Sequence, residues 1–179
     1  MADYTNKRGI FSLLDVRERQ AAGVWSTRAD VWNVPSPFLT SKGFDTAYFA
    51  GGPASSQSAS TVERIDYSND TAAAVAKGPL TGGRYSHRGT GNSDFGYHGG
   101  GRPSPHNQVE RIDYSNDAVT AAVKGPLSGT HYSHVAAGNQ SFGYFIGGFS
   151  TKSRVSRIDY SNDTATASQK GPLSTGRGS

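Results

Sequence analysis

Hydrophobic residues in this chain fall into short alternating runs that return at a near-constant interval. Phe142, Tyr144 and Ile146 alternate with Gly143 and Phe145 ahead of Gly147-Gly148, a period-2 pattern that predicts a short strand. The paired glycines permit positive φ, or close approach of a neighbouring backbone that a Cβ would block. A second strand is expected where Val62, Arg64 and Asp66 fall on one face and Glu63, Ile65 and Tyr67 on the other. Ser68-Asn69-Asp70 reads as a turn, because Asn and Asp side chains bond their own backbone and tolerate left-handed geometry. Thr71 to Val75 form the third strand, weakly β-prone for its alanines, and Gly78-Pro79 end it. Arg84 to about Thr90 make a fourth strand, which leads through Gly91-Asn92 back into an aromatic run.

The whole pattern repeats. Arg-Ile-Asp-Tyr-Ser-Asn-Asp begins at Arg64, Arg111 and Arg157, intervals of 47 and 46 residues. Lys-Gly-Pro-Leu follows each copy, at Lys77 to Leu80, Lys124 to Leu127 and Lys170 to Leu173. Length variation is confined to the segments 53–61, 102–108 and 149–154, which therefore read as surface loops. Four short strands per cycle of about 47 residues is the spacing of a β-propeller blade. The expectation is an all-β repeat domain over 43–179, with units at about 43–82, 83–129 and 130–177, after an N-terminal segment 1–42. Propellers close with about four to eight blades, so three leave two open faces and unpaired edges. Two chains completing a six-bladed propeller, a homotrimer with one arm per chain, and an open stack on a larger assembly all remain; each implies partners, most simply a homo-oligomer.

The first 42 residues follow a different rule. Ser12-Leu13-Leu14-Asp15 has capping-box spacing, and Phe11 and Val16 sit at hydrophobic-staple positions. A helix over about 13–22 would stop at Gly23, and Trp32, Pro35 and Pro37 mark an extended connector beyond it. A helix of about ten residues does not persist alone in water. Ile10, Leu13, Leu14 and Trp25 need a surface to cover them, each worth about 1.5 to 3 kcal/mol when fully buried. That surface is either the chain's own β domain or a partner protein.

Composition narrows the classes. Among 179 residues there are 23 glycines, nine tyrosines and only 34% hydrophobic residues, which favours short strands with tight turns over a helical bundle. Without cysteine, neither a disulfide framework nor a Cys-based zinc site is available. No apolar run approaches the ~20 residues of a membrane span, and residues 1–25 lack the order of a secretory signal. The formal charge of +4 is spread through the repeats without the Lys/Arg clusters of a nucleic-acid binder.

Candidate chemistry is sparse. His87 and His134 hold matching repeat positions, which suits packing or hydrogen bonding better than catalysis, since a reaction needs one asymmetric site. His98 stands where the other repeats have Phe49 and Phe145, and is the candidate for contact with a ligand, against a local packing substitution. Asp-x-x-Asn-Asp offers oxygens for Ca²⁺ but lacks the Gly and the distant Glu of an EF-hand loop, so it reads as a turn. Arg64 and Asp66 share a strand face and are expected to pair across the sheet or face solvent. No catalytic triad spacing or phosphate-cradling loop is present, and neither an enzyme nor a cofactor is expected.

Aromatic-x-x-Gly-Gly, a variable loop, Val-Glu-x-Ile-Asp, an Asn turn, Gly-Pro-Leu and a closing Arg-x-x-His resemble the kelch repeat in the same order over about 44–177. Kelch repeats usually carry a Trp in the third strand, where this chain has alanines; Tyr67, Tyr114 and Tyr160 are the candidates to supply that bulk. The wording around Asp159 to Ser174, Gly138 to Gly148 and the opening Gly9 to Trp25 also resembles repeats in virion structural proteins of marine tailed phages, including those of cyanobacteria. That resemblance implies a non-enzymatic virion protein. Its N-terminal anchor, with Ile10, Phe11, Leu13, Leu14, Val16 and Trp25, would dock onto other virion proteins, while the repeats are displayed as a fibre, tail-associated or decoration component. A host cell-surface glycan is the implied external partner, and a lectin-like carbohydrate-binding propeller module is the alternative.

Overall fold

The alternating runs fold as strands. The computed structural model describes residues 45–53, 58–103, 107–150 and 152–177, all within one unit spanning 41–179. The helix expected over 13–22, the connector after it and all six anchor residues lie outside the described residues. Eleven strands are formed among the described residues: β1 (Thr46–Ala50), β2 (Val62–Asp66), β3 (Val75–Lys77), β4 (Arg88–Gly91), β5 (Phe95–Gly99), β6 (Val109–Asp113), β7 (Ala122–Lys124), β8 (Val135–Gly138), β9 (Phe142–Ile146), β10 (Val155–Asp159) and β11 (Ser168–Lys170).

They pair as three antiparallel meanders, β1-β2-β3, β4-β5-β6-β7 and β8-β9-β10-β11. The register repeats from sheet to sheet: Tyr48 lies opposite Arg64, Tyr97 opposite Arg111 and Tyr144 opposite Arg157. The all-β expectation holds, with four strands in the second and third sheets. The first has three among the described residues, and β1 forms its edge. The second and third sheets meet along β4, which touches both β8 and β9.

Two strand boundaries differ from the pattern reading. The third strand begins at Val75, not Thr71, because the backbone from Tyr67 to Ala74 is spent on a turn. Asp66 opens that turn by accepting from Ser68 N at 2.9 Å and from Ser68 Oγ at 2.7 Å, and Ala72 N closes it on Asn69 O at 3.2 Å. Asp113 and Asp159 do the same one and two cycles later. The fourth strand begins at Arg88, not Arg84, because Ser86 at φ 55° breaks the extended chain, as Ser133 does at φ 50°. The glycine pairs behave as the pattern predicts: Gly100 and Gly101 stand at φ 70° and 92°, and Gly147 and Gly148 at 72° and 134°.

The cores lie between successive sheets. Val62 and Leu80 of the first cycle pack with Ile112 and Ala121 of the second. Tyr97, Val109 and Leu127 of the second pack with Phe145, Ile158 and Ala167 of the third. Stacked tyrosines complete each seam: Tyr48 on Tyr114 at 4.7 Å between centroids, and Tyr97 on Tyr160 at 4.6 Å. Tyr114 and Tyr160 thus fill space between sheets. Tyr67, their counterpart in the first sheet, is 56% exposed.

Candidate functional site

Each seam is locked by one aspartate from the turn after β6 or β10. Asp117 accepts from Tyr48 Oη at 2.8 Å and from Arg64 Nη1 at 2.8 Å, and its other oxygen lies 3.1 Å from Lys77 Nζ. One cycle on, Asp163 accepts from Tyr97 Oη at 2.9 Å and Arg111 Nη1 at 2.8 Å, with Lys124 Nζ at 3.2 Å. Backbone bonds run beside both clamps, from Gly78 N to Asp117 O and from Gly125 N to Asp163 O, each 2.8 Å. The glycines there are required by space, since a Cβ on Gly78 would meet Val119 O at 1.9 Å and one on Gly125 would meet Ala165 O at 2.0 Å. Asp117 is held below the usual carboxylate range: burial works against its charge, but Tyr48, Lys77 and Arg64 outweigh it.

These clamps revise one reading of the repeated phrase. Arg64 and Arg111 pair with the next sheet, not across their own. The Asp-x-x-Asn-Asp phrase forms the expected turn: its first Asp caps the turn in each copy, and in the second and third copies its last Asp also bridges the sheets. Among the described residues, no three His, Asp or Glu side chains gather to hold a metal ion.

A second contact varies between the seams. Glu110 is fully buried and faces Arg84 Nε at 3.2 Å, while Thr81 donates to it through its backbone N at 2.7 Å and through its hydroxyl. Arg84 also donates to Gly100 O at 2.8 Å. In the next cycle the same places hold His131 and Ser156: Nε2 lies 2.8 Å from Ser156 Oγ, and Nδ1 lies 2.9 Å from Gly147 O. His131 was missed by sequence reasoning. The signal was there, since the Arg84-to-His131 change is matched by the Glu110-to-Ser156 change one cycle apart.

The histidines singled out by repeat position are interior groups. His98 is 8% exposed on β5 and meets His87 edge-on at 5.4 Å; burial, then His87 and Arg84, push its pKa down to about 3. Burial and the cation of Arg84 take His87 to about 4, and burial with His131 takes His134 to about 3. All three are neutral at pH 7. A cleft of about 370 Å³ touches His87, His98, Tyr48 and Tyr114, but it opens along β1, the edge where the other sheets carry a fourth strand.

The loop ends of the second and third sheets hold a different arrangement. Tyr132 stacks on Phe149 at 5.2 Å, and the Arg102 guanidinium lies 4.4 Å from the Tyr132 centroid and 6.0 Å from that of Phe149. Phe149 is 49% exposed. The break at Ser133, where φ is 50°, frees the segment carrying Tyr132 to lie against the loop. No protein-family model and no curated protein matches the chain.

Proposed function

We propose that the chain is a non-enzymatic structural protein of a phage virion. Its N-terminal segment attaches to other virion proteins, and its β repeats are displayed for host attachment. The observation that carries this reading is the division of labour within each sheet. The buried ionisable residues Arg84, Glu110, Asp117 and Asp163 are spent on ion pairs that hold sheets together, while the connections in which cycle length varies join the equivalent strand pairs β1-β2, β5-β6 and β9-β10. Such an architecture supports display and adhesion, not turnover. The kelch-like order of motifs and the phage-like wording of the repeats supply the setting.

The lectin-like alternative is favoured by one observation, the Arg102, Tyr132 and Phe149 cluster beside the loops, since a partly exposed aromatic face suits a sugar ring. Deleting residues 1–25 tests the first reading: the truncated chain should stay soluble but fail to enter particles, and normal incorporation overturns the anchor. A glycan array tests the second. Binding that is lost in Phe149→Ala while particle incorporation persists supports adhesion, and an array without binding leaves a scaffold role alone.

A further inference from the structure

The two internal seams are copies of one interface, and each of its halves is presented once more without a partner among the described residues. The first sheet shows the half that the second and third sheets bury. Asp70 holds the place of Asp117 and Asp163 but makes no ion pair among the described residues and is exposed, whereas those two are buried. Tyr67 is 56% exposed, while Tyr114 and Tyr160 lie in stacks. Ala74 is exposed where Ala121 and Ala167 are 5% and 6% exposed.

The third sheet shows the complementary half. Tyr144, Arg157 and Lys170 hold the places of Tyr97, Arg111 and Lys124, and among the described residues no carboxylate meets them. Arg157 is already positioned, its guanidinium 4.2 Å above the Phe142 ring as that of Arg111 is 4.1 Å above Phe95. Leu173 is half-buried where Leu80 and Leu127 are 2% and 1% exposed. Gly171 is the clearest mark. Gly78 and Gly125 must be glycine because the next sheet's backbone lies against them, yet a Cβ on Gly171 meets nothing within 4 Å.

The variable contact matches as well. Four residues after the Leu of each Lys-Gly-Pro-Leu stand Arg84, His131 and Arg177, and their opposite places are Glu110, Ser156 and Glu63. Where the residue is Arg the opposite residue is Glu; where it is His, the opposite is Ser. The open halves, Arg177 and Glu63, carry the Arg–Glu set.

We infer that the third sheet of one copy docks on the first sheet of a second copy, Asp70 entering the Tyr144, Arg157 and Lys170 clamp and Glu63 meeting Arg177. The partner is a second copy because the only unmet clamp among the described residues complements the only unmet aspartate of its kind. The contact is head-to-tail and must close or propagate. Three sheets per copy and about four to eight blades per ring leave two copies, a six-bladed ring. This inference concerns assembly and does not rest on the virion reading.

The test is the mass of the full chain in solution with three variants. Wild type should run at about twice 18.9 kDa. In Gly171→Ala, the new methyl should strike the Ala72 carbonyl of the second copy, by analogy with Val119 and Ala165, so the chain should run at single mass with an unchanged circular dichroism spectrum. Asp70→Asn should weaken association at least tenfold, and Gly82→Ala, where a Cβ also meets open space, should leave the mass alone. A wild-type chain at single mass at every concentration overturns the inference, as does a trimer, or a dimer that Gly171→Ala and Asp70→Asn do not disturb.

Discussion

Replacing Asp163 by Asn separates the clamp from everything else its turn does. The substitution keeps the shape and removes the charge that Arg111 and Lys124 share at 2.8 and 3.2 Å. Leaving such cations without their anion costs about 3 to 5 kcal/mol in a fully buried setting. The side chains of Arg111 and Lys124 are 24% and 13% exposed against 9% for Asp163, so water recovers part of that and the low end, about 3 kcal/mol, applies. At about 1.4 kcal/mol per tenfold, the ratio of folded to unfolded chain should fall by about two orders of magnitude. The matched control is Asp70→Asn, made in the Gly171→Ala background so that copies stay apart. Asp70 ends the same three-residue turn as Asp163 but has no ion-pair partner among the described residues, and its replacement should stay within about 0.5 kcal/mol. Equilibrium urea unfolding of both variants gives the comparison. Equal costs, or an Asp163→Asn cost below about 1 kcal/mol, would refute the view that this carboxylate couples sheets, since that view predicts a gap several times larger.

Three further outcomes follow from the same contacts. His98 and His134 have folded pKa values of about 3 and His87 of about 4, below the unfolded 6.5, so the unfolded chain binds more protons in between and stability must fall as pH drops below 6.5. At pH 5 each costs about 2 kcal/mol at most, and His98→Phe, the residue its place holds in the other sheets, should flatten the slope; a urea midpoint equal at pH 5 and 7.5 would contradict this. Gly125→Ala should destabilise by more than about 2 kcal/mol, because its Cβ would lie 2.0 Å from Ala165 O, and a thermal melt unchanged from wild type would count against the seam geometry. Glu110→Gln should cost about 2 to 4 kcal/mol by stranding Arg84 at 6% exposure, with Arg84→His plus Glu110→Ser restoring part of the loss because the third sheet already uses that pair.

Much of the fold was legible because strand pairing writes itself into period-2 alternation and turns into Asn, Asp and Gly. Phe142 to Ile146 and Val62 to Asp66 form strands where the alternation runs. Thr71 to Ala74 misled because alanines carry no strong signal in either direction, and the Asp66 cap, a side-chain to backbone bond, decided the matter in favour of a turn. The clamp itself was hidden for a different reason. Asp117 is 69 residues from Tyr48 and 53 from Arg64, and alternation within one repeat says nothing about which residue of the next repeat comes to rest on it. Comparing repeats position by position does carry that information, as the paired changes at Arg84 and His131 against Glu110 and Ser156 indicate. The loop-end cluster of Arg102, Tyr132 and Phe149 was invisible for the same reason, since its members come from two sheets.

An electron cryomicroscopy reconstruction of the assembled chain tests the complementary faces most directly. Six sheets around a two-fold axis are expected, with Asp70 of one copy inside hydrogen-bonding distance of Tyr144, Arg157 and Lys170 of the other and the Tyr67 ring stacked on Tyr144. A particle of three sheets with Asp70 in water, or one whose first sheet is covered by residues 1–44 of its own chain, would contradict it.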